Sequence, residues 1–504
     1  MSFEVKERDL AGRIGTLHTR RGEVETPYLM PVINPVKNSI SPKELKDKFG
    51  FKMVITNSYI ILKHFKEQKP EVHKLTGFDG PIMTDSGAYQ LLIYGDVDTN
   101  PDEITRFQEI IGSDIGVMLD VPTGGYATRE EAICTVEETL KRAEHSTKHR
   151  EDSSMLWAGP IQGGRYLDLV ERSAKKMGTL DFHIHPLGSP TQIMEEYDYV
   201  SLVDMIATAK MNLPPERPLH LFGAGHPMML SLAVALGCDL FDSAAYALFA
   251  KDGRYLTSSR TMRMEDLTEL PCSCPVCTSH TVADFFDLPK TESEGLLARH
   301  NLYVTAEEIR TIKQAIREGS LWELLETRCR SHPRLYDGFK RLKKYSEYLE
   351  LNDPVLGSRL RGLFLFDDVS SARPEVVRHK KRIAENYKRP AGKNLLVLLP
   401  FPDEKPFNKS KQYKDASDLL NDKSIHFCFF GEPFGIIPAE LSETFPFSQF
   451  ESCVGNGVPN ESLINTFIKN NCYKKMFMVS DANCSHLKSV KIVKSIDKLV
   501  EEVK

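Results

Sequence analysis

Between residues 27 and 243 the chain alternates short apolar runs with longer stretches of mixed polarity. The runs are Pro27–Val32, Lys52–Asn57, Pro81–Asp85, Gly116–Asp120, Leu156–Gln162, Phe182–Gly188, Leu219–Gly225 and Asp239–Asp242. Runs this short, apolar on both alternating positions, predict strands buried on both faces. The stretches between them, among them Arg129–His149, Tyr166–Met177 and Pro227–Leu236, read as helices. Buried strands alternating with helices predict an α/β fold, a parallel (β/α)₈ TIM barrel. A doubly wound open sheet carries the same periodicity.

The ends of the runs add chemistry. Most of them close on a polar residue or glycine, among them Asn57, Asp85, Asp120, Gln162, Gly188 with Ser189, and Asp242. One carboxylate ending a strand is ordinarily a turn or helix-cap residue. Three of them with a glutamine, at the end of a barrel where active sites lie, predict a shared pocket. Glycines stand beside them in Asp85-Ser-Gly-Ala-Tyr-Gln90 and Gln162-Gly-Gly164, where backbone can approach a flat ligand closely. Two strand-end carboxylates suit displacement at a sugar carbon, one attacking and the other moving protons. A further aspartate with an amide, an aromatic and backbone N–H groups suits a purine edge. The pattern points to glycosyl or base exchange.

After residue 252 the barrel pattern stops, and residues 252–302 read as an inserted metal-binding subdomain. Cys272-Ser-Cys274-Pro-Val-Cys277 offers three soft ligands that a short loop folds around one Zn²⁺. The fourth ligand comes from elsewhere, with His300 the better candidate and His280 its competitor on the same loop. Four protein ligands make a closed, structural site, which leaves the chemistry to the aspartates. His183 and His185 read as ordinary polar residues rather than metal ligands. Ala306–Arg330 predicts one long amphipathic helix, and basic helical sequence continues through Phe339–Tyr345. Residues 1–350 are expected to form the catalytic domain and 351–393 a basic linker or accessory segment, with Arg378, His379, Lys380, Lys381 and Arg382 in a row. Residues 394–504 read as a smaller α+β accessory domain with strands at Leu395–Leu399 and His426–Phe430.

At 504 residues the chain is long enough for two or three domains. A net charge of −5 gives no global sign of nucleic-acid binding, so any RNA contact must use a local basic patch. The cysteines outside the cluster are scattered, as expected of reduced thiols in a cytoplasm. The first residues lack the apolar core of a signal peptide, and no apolar run reaches the length of a membrane span.

Several segments, in order, resemble the archaeal tRNA-guanine transglycosylases of the archaeosine pathway. They are Thr84-Asp85-Ser86-Gly87, Leu119-Asp-Val-Pro122, Ile161-Gln-Gly-Gly164, His220-Leu-Phe-Gly-Ala-Gly-His-Pro-Met228, Phe241-Asp-Ser-Ala244, Pro271–Cys277 and His300-Asn-Leu302. Leu399-Pro-Phe-Pro402, Pro433–Pro438 and Phe445-Pro-Phe447 resemble accessory regions of the same enzymes more loosely. The resemblance implies a barrel with a zinc subdomain, acting on the tRNA D-loop. It implies exchange of guanine at position 15 for 7-cyano-7-deazaguanine (preQ0), without ATP. It gives Asp242 as the nucleophile on ribose C1′ and Asp85 as the general acid/base, the reverse assignment being the alternative. Asp120 is implied to bind the 2-amino and N1–H edge of the base. Gln162 and the backbone at Gly188 and Ser189 would face O6, Tyr89 would stack, and Ser86 would join them in binding substrate. The zinc ligands carry over as Cys272, Cys274, Cys277 and His300, and a homodimer is implied. A later-acting or non-catalytic relative that keeps the shell without the aspartates is the competing class, and here all three are present. Where the bacterial relatives carry a Gly-Gly-Leu-Ala-like turn, this chain has Leu187-Gly-Ser-Pro190. No segment resembling the family's C-terminal PUA domain is recognised, so such a module is expected on a separate polypeptide.

Overall fold

The order of strands and helices expected from residue 27 onward is present in the computed structural model. It describes residues 2–65, 68–88, 100–150, 154–355, 362–454, 457, 461–481, 487 and 489–503. The chain divides into two compact units, Met1–Arg341 with Asn352–Ser358, and Leu342–Leu351 with Arg359–Lys504.

The first unit opens with an antiparallel sheet absent from the predicted pattern, β1 (Phe3–Asp9), β2 (Gly12–Thr19) and β3 (Gly22–Thr26). Eight parallel strands follow: β4 (Tyr28–Pro31), β5 (Val54–Asn57), β6 (Ile82–Asp85), β7 (Ile115–Val117), β8 (Leu156–Ala158), β9 (His185–Leu187), β10 (Leu219–Leu221) and β11 (Cys238–Ser243). They form two four-stranded sheets, ordered β5-β6-β7-β8 and β4-β11-β10-β9. Isolated parallel bridges, Val32 with Ile55, Ala158 with Ile184 and Ile161 with Leu187, connect the margins of the two sheets. The unit is therefore mixed α/β with parallel sheets. Nearly every strand residue is buried, as continuous apolar runs require when helices cover the outer face.

Several strands stop earlier than their apolar runs, β7, β8 and β10 by three residues or more. β7 ends at Val117 and β8 at Ala158, so Asp120 and Gln162 lie in the loops beyond. Pro122 and Pro160 lack the N–H that a continued ladder needs. Arg129–His149 is a helix as expected, started by a capping box between Thr128 and Glu131. The helix predicted over Ala306–Arg330 is instead two. Lys290–Glu318 runs 29 residues and stops at Gly319, whose φ of 67° is the left-handed cap that glycine supplies, and Leu321–Cys329 follows. His300 thus sits inside a long helix.

The strand carrying Asp242 is anchored from behind. Arg13 on β2 donates to both oxygens of Asp239, at 2.6 and 2.8 Å, and to the carbonyls of Pro215 and Arg217. Asp239 also accepts Leu219 N–H at 2.9 Å, tying β10 to β11. Such a buried pair, fully hydrogen-bonded, fixes register more than it adds stability. Residues of the metal-binding segment, including Val276, Cys277, Phe285 and Leu297, share one core cluster with Met30, Ile55 and Leu119. Each fully buried side chain of this size contributes about 1.5–3 kcal/mol.

The second unit holds a five-stranded sheet ordered Gly435–Pro438, Ile425–Gly431, Leu395–Pro400, Lys475–Val479 and Lys491–Val493. All pairs are parallel except that of the first two strands. The basic stretch forms the helix Pro374–Glu385. Part of it faces inward: Arg378 is buried and donates to Glu350 at 3.0 Å, and buried Arg373 pairs with Glu375. Among the described residues, no helix is long and apolar enough to cross a membrane.

Candidate active site and metal centre

Asp85 closes β6 in register with Asn57 at the end of β5. Asn57 Nδ2 donates to Asp85 Oδ2 at 3.0 Å, Gly87 N–H lies 3.4 Å from Oδ1, and the Ser58 hydroxyl donates to the Asp85 carbonyl at 2.7 Å. Burial, and then the negative charges of Asp120 and Asp242, push the Asp85 carboxyl up to about 7. Asp85 therefore lies close enough to both other carboxylates for their charge to disfavour its own ionisation.

Asp120 is 3% exposed, and Gln162 Nε2 donates to its Oδ2 at 2.5 Å. Burial raises this carboxyl to about 6, against the opposing Gln162 hydrogen bond. Gln162 is itself held: its Oε1 accepts Thr123 N–H at 2.9 Å and the Ser189 hydroxyl at 3.3 Å, and its backbone N–H donates to Ser173 Oγ at 3.1 Å. A Cβ on Gly188 would lie 2.1 Å from Gln162 Nε2, so only glycine lets this turn approach the amide. Ser189 has a φ of 62°, a left-handed turn at the start of the helix Pro190–Glu195. The Ser86 hydroxyl is buried beside Asp85 with no hydrogen-bond partner among the described residues. Tyr89 lies outside the described residues.

Asp242 sits in β11 with 13% of its side chain exposed. Its Oδ1 accepts Gly223 N–H at 3.0 Å and lies 2.9 Å from Nε2 of the fully buried His220. Sequence reasoning gave His220 no role of its own. The available signal was a histidine inside the apolar run Leu219-His-Leu-Phe, where a polar side chain needs a reason. His185, by contrast, is a core residue. Its Nδ1 lies 3.2 Å from the Gly159 carbonyl and burial pushes it down to about 3.

The Asp85 environment has a measurable consequence for stability. In the folded state the carboxyl keeps its proton up to about pH 7, whereas in the unfolded chain it loses it near pH 4. Folding thus binds a proton between those values, so stability falls as pH rises through the window and the full penalty is present above pH 7. Asp85→Asn is expected to stabilise the protein at pH 8 by on the order of 1–3 kcal/mol and to have little effect at pH 4. Urea unfolding at both pH values checks this, and an equal effect at each would exclude the raised carboxyl.

Cys272, Cys274, Cys277 and His300 bring their ligand atoms within 4.8 Å of one another. His300 Nδ1 lies 3.5 Å from Cys274 Sγ and 3.2 Å from Cys277 Sγ. Its Nε2 lies 2.9 Å from the Leu256 carbonyl, an acceptor that keeps the proton on Nε2 and turns the Nδ1 lone pair toward the thiols. The Tyr255 ring stacks on His300 at 3.6 Å and fixes its plane. Cys274 is pushed down to about 3 by hydrogen bonds from the Cys272 and Cys277 thiols, while Cys277 is pushed up. One proton-sharing group of soft donors is a set that a dication can occupy by displacing those protons. His280 is turned away, with Nδ1 2.9 Å from the Val276 carbonyl.

Asp85 feels the charges of Asp120 and Asp242, and three thiols with His300 form a metal-binding donor set. Residues 9–334 match the family described as queuine tRNA-ribosyltransferase, and residues 376–502 match a domain of unknown function, DUF5591. The chain belongs to the queuine tRNA-ribosyltransferase family and is an enzyme of the pentosyltransferase class. It is 43% identical over 495 residues to the tRNA-guanine(15) transglycosylase of Methanococcus aeolicus, covering 95% of this chain and 73% of that protein. The enzyme of the same name from Saccharolobus solfataricus is 43% identical over 504 residues, covering 96% of this chain and 97% of that one. The one from Methanosarcina mazei is 47% identical over 457 residues, covering 88% and 86%.

Proposed function

We propose that this protein exchanges guanine at position 15 of tRNA for 7-cyano-7-deazaguanine through a covalent aspartyl-ribosyl intermediate. Relatives named as tRNA-guanine(15) transglycosylases, similar over most of the chain, support the position. The observation that carries the mechanism is the difference between two aspartates in one pocket. Asp85 has its carboxyl raised to about 7, suited to giving and taking a proton near neutrality. Asp242 Oδ1 accepts Gly223 N–H at 3.0 Å and lies 2.9 Å from His220 Nε2, contacts that hold the side chain in place for attack as a nucleophile.

In the proposed reaction Asp242 bonds to ribose C1′ as the C1′–N9 bond breaks, and the departing guanine takes a proton from Asp85. The incoming base returns its N9 proton to Asp85. N9 then bonds to C1′, and the C1′–Asp242 bond breaks to restore the carboxylate. Asp120 accepts from the 2-amino and N1–H groups of the base. Gln162 Nε2 keeps one N–H beyond that given to Asp120, and with the Ser189 backbone it faces O6; the Gly188 N–H is spent on the Ile161 carbonyl at 2.9 Å. The unpartnered Ser86 hydroxyl is available to the same ligand.

The eight parallel strands are read as a closed (β/α)₈ barrel, a reading supported by the bridges at the two margins between the sheets. The metal is read as structural Zn²⁺, supported by the Cys₃His donor set.

Incubation of a tRNA transcript with labelled guanine, followed by a chase with preQ0, tests the function. Label is expected at position 15 alone, and preQ0 is expected to displace it. Label entering another position, or none entering, overturns the reading.

A further inference from the structure

Asp242 is gripped through one oxygen only. Oδ1 meets His220 Nε2 at 2.9 Å and Gly223 N–H at 3.0 Å, and no donor among the described residues reaches Oδ2. His220 is fully buried, and its Nδ1 has no hydrogen-bond partner among the described residues. A proton on Nδ1 would be a buried N–H without an acceptor. It would also leave the Nε2 lone pair facing a carboxylate oxygen. The proton therefore belongs on Nε2, where it is donated to Asp242. The ring is held in place by β10 and by Phe222, which meets it edge-on at 4.7 Å. The anchor at Asp239 fixes β10 and β11 together three residues earlier.

We propose that His220 is a positioning residue for Asp242. Its Nε2–H, with the Gly223 amide, engages Oδ1 so that Oδ2 is the oxygen that bonds to ribose C1′. The proposal rests on the base-exchange reading above. In the intermediate Oδ2 is the ester oxygen and Oδ1 its carbonyl. When N9 of the incoming base bonds to C1′, the C1′–Oδ2 electron pair returns to the carboxylate. Part of that charge develops on Oδ1, where two fixed donors already point. Donors placed where charge develops need no reorganisation as the bond breaks.

Single-turnover formation and breakdown of the covalent protein–tRNA adduct test this, together with kcat and KM for tRNA. His220→Ala is expected to slow breakdown by incoming base about 10²-fold, as removal of one donor at the developing charge does, and to slow formation as well because Asp242 is no longer oriented. KM for tRNA should stay within about twofold, since the fully buried His220 offers no surface to the tRNA. His220→Gln, which places an amide N–H near the lost Nε2–H, is expected to recover most of the rate. A residue needed only for packing would not show that rescue. Adduct breakdown at the wild-type rate in His220→Ala, or a His220→Gln no faster than His220→Ala, overturns the proposal. The wild-type protein supplies a second measurement if the alanine variant does not fold. Nitrogen NMR of ¹⁵N-histidine-labelled protein is expected to show His220 protonated at Nε2, and a proton at Nδ1 overturns the assignment. If wild-type protein forms no adduct, the base-exchange reading fails, and the histidine tautomer still reports on His220 separately.

Discussion

Asp242→Asn is expected to abolish covalent trapping of tRNA and to lower base exchange by on the order of 10⁴–10⁶-fold, the scale seen when a nucleophile is removed. The substitution is close to isosteric. The amide oxygen can still accept from His220 and Gly223, so the strand and pocket have no reason to move. What disappears is the carboxylate charge that, in the proposed reaction, attacks C1′. Asp85→Asn is expected to behave differently: adduct still forms, more slowly without a proton for the departing guanine, and it is consumed slowly because the incoming base has nowhere to send its N9 proton. Denaturing gels of labelled tRNA with each variant distinguish the two. Trapping that persists in Asp242→Asn and vanishes in Asp85→Asn would exchange the two roles.

Metal removal is expected to have the second largest effect. The three thiols lie in a stretch of short elements, the strand pair Arg254–Leu256 and Thr261–Arg263, a single 3-10 turn and two short helices, and His300 joins them from the helix Lys290–Glu318. Without a dication, protons must return to the thiols, and the ligand atoms no longer have a common partner. Chelation, or Cys277→Ser, is expected to destabilise this segment by several kcal/mol. That is less than the roughly 10–16 kcal/mol of isolated zinc-finger peptides. The difference arises because Val276, Phe285 and Leu297 remain packed in the core shared with the parallel strands. Calorimetry with and without chelator, combined with metal analysis, checks this. An unchanged unfolding midpoint in demonstrably metal-free protein would rule out a structural metal.

Much of the first unit was legible because its strands are buried on both faces. Such strands write themselves as unbroken apolar runs, and β4 to β6 and β11 fall within a residue or two of the predicted runs. The sheet β1–β3 left no such trace. β1 buries only its ends, so its residues read as polar surface. Ladder ends at Val117 and Ala158 were also hidden, because an apolar residue looks alike inside a strand and in a buried loop. The long helix was misjudged at both ends, since its start lies in a polar stretch and its stop depends on Gly319 adopting a left-handed cap.

By itself the sequence determined which residue types were available: three thiols in six positions, and three aspartates beside apolar runs. Spacing alone identifies a ligand set when the ligands share one short loop. Tertiary structure alone decided between His300 and His280, because the helix Lys290–Glu318 delivers the first from a distance while the second bonds its own loop. It alone separated Asp85 from Asp242, whose environments depend on burial and on partners such as Asn57 and His220. Those partners lie 28 and 22 residues away along the chain. Proton affinity is a property of surroundings, and only the fold assembles them.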